Sequence, residues 1–129
     1  MMPNHLFVAH STIPHAGRGV FANKQYKKGD CIELCPVVIF SKKSVSLIDD
    51  TELAKYYFEW GDDHTMGAIA LGYGSLYNHS FESNAEFEQD FKHEVIKITA
   101  ITTIPKNTEI TVNYNGDHTD KSPLWDNAL

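Results

Sequence analysis

Three short stretches of this chain gather residue types that hold ligands or move protons. "HAGRGVFA" (15–22) sets Gly17 and Gly19 on either side of Arg18, just ahead of a β-like run. Glycines there permit positive φ and let backbone amides and carbonyls come close to a ligand. "LGYGSLYNHSFESN" (71–84) packs two glycines, two tyrosines, an Asn-His-Ser triplet at 78–80 and a second asparagine, Asn84, into one segment. "NTEITVNYNG" (107–116) brings a strand to an end at Tyr114, ahead of Asn115 and Gly116. A tyrosine in that position covers a core edge or places its hydroxyl at the mouth of a pocket.

Several familiar chemistries are poorly served by these residues. Asn-His-Ser has the form of a glycosylation sequon. The opening "MMPNHLFVAHST", however, has no basic segment followed by a long apolar one, so no secretory signal and an intracellular protein are expected. His79 beside Ser80 has neither a Gly-x-Ser-x-Gly elbow nor a spaced acid to orient it, so no hydrolase triad is readable. The seven histidines are scattered without a His-x3-His pair, and Cys31 and Cys35 lack a second cysteine pair. No metal site is therefore expected, and both cysteines read as small buried apolar side chains in a reducing compartment. Gly-Arg-Gly is not a dinucleotide fingerprint, because the third glycine and the following helix are missing. What remains is a concentration of polar turn residues whose backbone groups must pair with each other or with a ligand.

The elements that would position them are mostly β. A chain of 129 residues is one domain's worth, and 42% hydrophobic with 22% charged residues suits a folded globular chain. No apolar run approaches the ~20 residues of a membrane span. Runs rich in Val, Ile, Phe and Thr cover 5–10, 19–23, 31–40, 67–72, 85–91, 94–101 and 109–114. "KKGD" (27–30) and "PKNTE" (105–109) read as tight turns. One helix is expected within 44–60, capped by Ser46 or Asp49, where Leu53, Tyr56, Tyr57 and Trp60 recur at i, i+3, i+4 and i+7. Strands this short and irregularly spaced favour several small sheets over one barrel or sandwich.

The order of the three motifs resembles the SET-domain protein lysine methyltransferases, over residues 5–116, with 117–129 as a tail of one single domain. The resemblance implies a mostly β fold in which the C-terminal strand threads a loop made by the Asn-His-Ser segment. It also implies S-adenosylmethionine as methyl donor. On that basis Gly17, Arg18 and Gly19 would hold the methionine end of the donor, Asn78 its ammonium group, and the main chain of His79 its adenine. Asn84 would fix loop geometry, and Tyr114 matches the catalytic tyrosine. A lysine amine in water titrates at about 10.4, so an apolar channel must desolvate it to expose the neutral nucleophile. Tyr56 or Tyr57 and Phe87 would line that channel with Tyr114. A phenylalanine at 87, where some relatives carry tyrosine, implies di- or trimethylation, although core packing serves Phe87 equally well.

Departures from the family pattern are equally visible. Phe81 and Ser83 stand where many relatives carry Cys and Pro, and the cysteine-rich flanks that bind zinc are missing. The lid of the channel must then come from elsewhere. One source is the tail, which carries His118 and Trp125 and in which Trp125 is expected to pack over the adenine or the channel. The other is a second copy in a homodimer. The net charge of −6, with acid-rich stretches at 47–52, 59–63 and 86–91, argues against nucleic acid as direct ligand. It suits a basic protein substrate such as a histone tail, which would make the protein a nuclear or host-nuclear chromatin regulator. The rival function is a non-catalytic module that keeps the fold and binds a peptide or ligand without turnover.

Overall fold

The computed structural model describes residues 5–124. Among the described residues nine strands make up two sheets: β1 (Leu6–His10), β2 (Arg18–Ala22), β3 (Cys31–Phe40), β4 (Tyr57–Trp60), β5 (Met66–Ala70), β6 (Asn78–His79), β7 (Ala85–Asp90), β8 (Val95–Ala100) and β9 (Glu109–Val112). The first sheet runs β1-β2-β9-β6 and the second β4-β5-β3-β8-β7. The mostly β, multi-sheet reading therefore holds. Every long run named from the sequence is a strand, with ends moved by a residue or two. Both expected turns form, Asp30 N donating to Lys27 O and Thr108 N to Pro105 O. Among the described residues no helix is long and apolar enough to cross a membrane.

The helix is where the reading from sequence went wrong. It is α1 (Lys42–Ile48), capped by Ser41, whose hydroxyl accepts from Ser44 N. Asp49 ends it rather than beginning it, and Ser46 lies inside it. A 3-10 turn follows at Glu52–Lys55, capped by Thr51, and Tyr57–Trp60 is then β4, paired antiparallel with β5. The cause lies in the side chains. "YFEW" has period 2 as well as period 3.6, so Trp60 is buried and Phe58 packs on the core, while Tyr57 takes the other face against Phe40. Pairing with β5 satisfies four residues' backbone groups in a sheet; a continuous helix would carry Asp49, Asp50 and Thr51 through its middle, where turn formers compete with helical bonds.

One core spans both sheets. Val20, Tyr26, Cys35, Ile96, Ile98, Ile104, Ile110 and Val112 are its largest fully buried members. Cys35 is the small buried side chain expected; Cys31 is exposed, because the strand alternation that buries Ile32 turns its neighbour outward. All four residues of β9 are buried, including Glu109 and Thr111.

The route of β9 draws distant parts of the chain together. Its first half pairs antiparallel with β2, and its second half pairs parallel with β6. Ser80 N donates to Val112 O at 3.0 Å. The carboxamide of Asn84 instead spans Glu109 O (2.9 Å) and Thr111 N (2.9 Å). Successive residues of a strand turn their backbone groups to opposite edges, so residues 78–84 grip β9 along both edges. The C-terminal strand passes through that loop, and the crossing expected from the sequence is present, with Asn84 holding it.

Candidate functional site

A cavity of about 370 Å³ lies where the start of β2, the segment around β6 and the end of β9 converge. Its wall includes Gly17, Arg18, Asn78, His79, Tyr114 and Tyr56. Three stretches separated by about 60 and 35 residues of chain thus face one hollow, of a size that ligand sites commonly have.

The wall on the β2 side starts at Gly17, with Gly19 behind it. Gly17 has φ +74, open to glycine at no cost. At Gly19 a Cβ would lie 2.2 Å from Glu109 Oε2 and 2.9 Å from Asn78 Nδ2, so no side chain fits. Behind it, Asn78 Nδ2 donates to Arg18 O (3.0 Å) and to Glu109 Oε2 (3.0 Å), tying β6 to β2 and β9. Glu109 is a buried carboxylate that also accepts from Ser11 Oγ (2.9 Å), Thr12 N (2.9 Å) and Thr12 Oγ1 (2.8 Å). Burial pushes its pKa up, but the bonds from Asn78, Thr12 and Ser11 outweigh that and hold it below the ordinary value.

His79 is buried, and its ring accepts from Tyr114 N at Nδ1 (3.0 Å), which leaves the proton on Nε2. Nε2 is itself buried without a hydrogen-bond partner among the described residues, and desolvation lowers the pKa of the ring. Phe81 meets that ring edge to face at 4.5 Å. Because Ser80 N bonds Val112 O, the N–H and C=O of His79 itself point away from β9.

Tyr114 is held at both ends. Its hydroxyl donates to Tyr77 O at 2.8 Å, and its backbone N–H to the His79 ring. Burial, with Tyr56 and Glu109 nearby, pushes its phenol up to about 12. It therefore stays protonated near neutral pH and is a donor, not a base.

The remaining residues singled out in the sequence separate. Tyr56, at the end of the 3-10 turn, lines the cavity. Tyr57 does not: its hydroxyl bonds Asp49 Oδ1 at 2.7 Å and its ring meets Phe40. Phe87 packs edge to face on Phe58 at 4.9 Å. His118 pairs with Glu86 (3.2 Å), while Asn113 and Asn115 reach the carbonyl of Asp120, so the tail is drawn across residues 81–86. Trp125 lies outside the described residues. Ser11, Thr12 and Glu109 were not picked out from the sequence. The available clue was a carboxylate at the head of the otherwise uncharged run "EITV", which the topology places in the core.

With this geometry in view, comparison with known proteins decides the family. The family described as "SET domain" matches residues 17–115. The chain belongs to the SET-domain family. The chain is 34% identical over 110 residues to the "Histone-lysine N-methyltransferase, H3 lysine-37 specific" of Schizosaccharomyces pombe, covering 84% of this chain and 69% of that protein. The crystal structure of a Plasmodium falciparum protein assigned as a histone methyltransferase superposes with TM-score 0.68 at 27% identity, over 88% of this chain and 95% of that one. Polycomb Repressive Complex 2 of Chaetomium thermophilum, in a structure bound to S-adenosylmethionine, gives TM-score 0.73 at 20% identity, over 84% of this chain and 15% of that one. The last likeness concerns the SET fold alone.

Proposed function

We propose that this SET domain is a protein-lysine N-methyltransferase that uses S-adenosylmethionine and acts on a basic protein, with a histone as the substrate class. One observation carries the reading: Gly17 and Arg18, Asn78–His79 and Tyr114, far apart in sequence, line a single cavity. The kinship with a histone-lysine methyltransferase at 34% identity supports the reaction type.

The residues present fit the donor. Gly17, at φ +74 and without a side chain, brings bare main chain to the cavity wall. Arg18 and Lys55 supply positive charge at the wall for a carboxylate, and the main chain of His79, turned away from β9, has hydrogen-bonding groups to offer an adenine edge. When bound, S-adenosylmethionine supplies an electrophilic methyl group on a sulfonium. The chain's own residues do the positioning. Tyr114, protonated and anchored on Tyr77 O, fixes the rim where an amine would enter, and Tyr56 beside it offers an aromatic wall. A desolvated site of this kind favours the neutral amine over the ammonium ion, and alignment supplies much of the acceleration. Phe87 belongs to the same proposal as an apolar boundary that permits di- or trimethylation; mass spectrometry showing only monomethyl product would reject that role.

The acidic surface, net −6, would draw in a basic tail and fits a nuclear chromatin role. A lid from a second copy is part of the reading, testable by sedimentation of the protein in solution. The decisive test of the whole is transfer of radiolabelled methyl groups to histones and to a host lysate. Incorporation into lysine is expected. Donor binding with no incorporation into any basic protein would favour the non-catalytic module instead.

A further inference from the structure

The amide of Asn78 has only one orientation open to it. Both hydrogens of its Nδ2 are used, one by the carbonyl of Arg18 and one by Glu109 Oε2. Neither partner can donate while Glu109 is ionised, so neither tolerates the oxygen of a flipped amide. Glu109 is itself held by Ser11 and Thr12 on its other lone pairs, and it cannot swing away, because Gly19 leaves no slack in front of it. Among the described residues nothing donates to Asn78 Oδ1, and that atom is not buried. What Asn78 turns to its cavity is therefore an acceptor.

We propose that Glu109 is a positioning residue for specificity: through Asn78 it makes the cavity select a ligand bearing a protonated amino group. The inference rests on the S-adenosylmethionine reading and names how the site tells the amino acid end of that donor from neutral relatives. Replacing Glu109 by Gln keeps the shape but adds an NH2 group. That group must oppose either the Thr12 N–H or the Asn78 NH2; in the second arrangement only Arg18 O still holds the Asn78 amide, whose single orientation is lost, so that its NH2 can turn to the cavity. An ammonium would then meet a donor where it needs an acceptor.

The test compares two probes by titration calorimetry, S-adenosylhomocysteine and its analogue lacking the α-amino group. A hydrogen bond to a charged partner predicts at least a ~10-fold preference for the amino-bearing probe in the wild-type protein. In E109Q the preference is expected to fall to about 2-fold or less, with cooperative thermal unfolding retained. A purely structural Glu109 would weaken both probes alike and leave the ratio unchanged. If E109Q does not fold, S11A removes the hydroxyl that bridges both oxygens of the same carboxylate, frees it to turn from Asn78, and carries the same expectation. Full discrimination in either folded variant, or equal binding of the two probes by the wild type, overturns the inference. Failure of the wild type to bind either probe instead overturns the cofactor reading on which it stands.

Discussion

Removing the hydroxyl of Tyr114 separates positioning from folding in one substitution. In Tyr114→Phe the ring stays, and one hydrogen bond to Tyr77 O at 2.8 Å is lost. Tyr77 is 2% exposed, so its carbonyl has little access to replacement water. A bond of this kind contributes about 1 kcal/mol net, rising to ~2 kcal/mol if the carbonyl is left unpaired. For a domain of this size that lowers the midpoint of thermal unfolding by roughly 4–8 °C, leaving the protein folded at assay temperature. Loss of a preorganised donor at the reaction centre is expected to cost about 100- to 1,000-fold in kcat. The assay is methyl incorporation alongside donor affinity by calorimetry, from pH 7 to pH 9. Donor affinity should change little. The wild-type advantage should be flat across that range, because the phenol titrates only near 12. Wild-type rates in the variant would remove the proposed role. A wild-type rate limb that rises through this range and vanishes in Tyr114→Phe would instead make the phenol a base, contrary to its burial.

Acid sensitivity should come in two stages. His79 is held neutral below its usual 6.5 by desolvation, so the unfolded chain takes up that proton first and stability declines as pH falls from about 6.5 toward the folded value. Glu109, whose folded pKa is lowered, contributes stability above 4.5 that is lost as pH falls through the folded value. Unfolding midpoints measured between pH 7.5 and 3.5 should fall in that order, and His79→Gln should flatten the first limb; unchanged slopes would refute it. Gly74→Ala places a methyl group 2.5 Å from the Ala70 side chain and 2.8 Å from Cys35 Sγ, an overpacking expected to cost about 1–3 kcal/mol in denaturant titration. Tyr56→Ala should impair methyl transfer at least ~10-fold, the scale of ~1.4 kcal/mol, whereas Tyr57→Phe should alter only stability, since its hydroxyl serves Asp49 rather than the cavity. The reverse ranking in the transfer assay would exchange their roles.

The strands were readable because burial on one face of a sheet writes period 2 into the sequence, as in "VIKITA", where Ile96, Ile98 and Ala100 are buried. The stripe at Leu53, Tyr56, Tyr57 and Trp60 failed because "YFEW" at its end satisfies period 2 as well as period 3.6. Only the pairing of β4 with β5 chooses between them. Tyr56 and Tyr57 were inseparable for the same reason: a single-residue change of direction at the end of the 3-10 turn sends one ring to the cavity and the other to Phe40. Glu109 stayed hidden because a carboxylate looks like surface until its four hydrogen-bond donors, from residues 11, 12 and 78, are brought around it.

Local chemistry along the chain was enough to determine that this protein is a β-rich domain and to mark Gly17, Gly19, Asn78 and Tyr114 as residues awaiting partners. Alternation, turn formers and the ordering of motifs are properties of neighbours in sequence. That β9 passes between β6 and Asn84, that Glu109 orients Asn78, and that one cavity results were decided by tertiary structure alone. These depend on contacts across about 30 to 100 residues of chain, and such contacts form only when burial of the shared core repays the entropy of closing the loops between them.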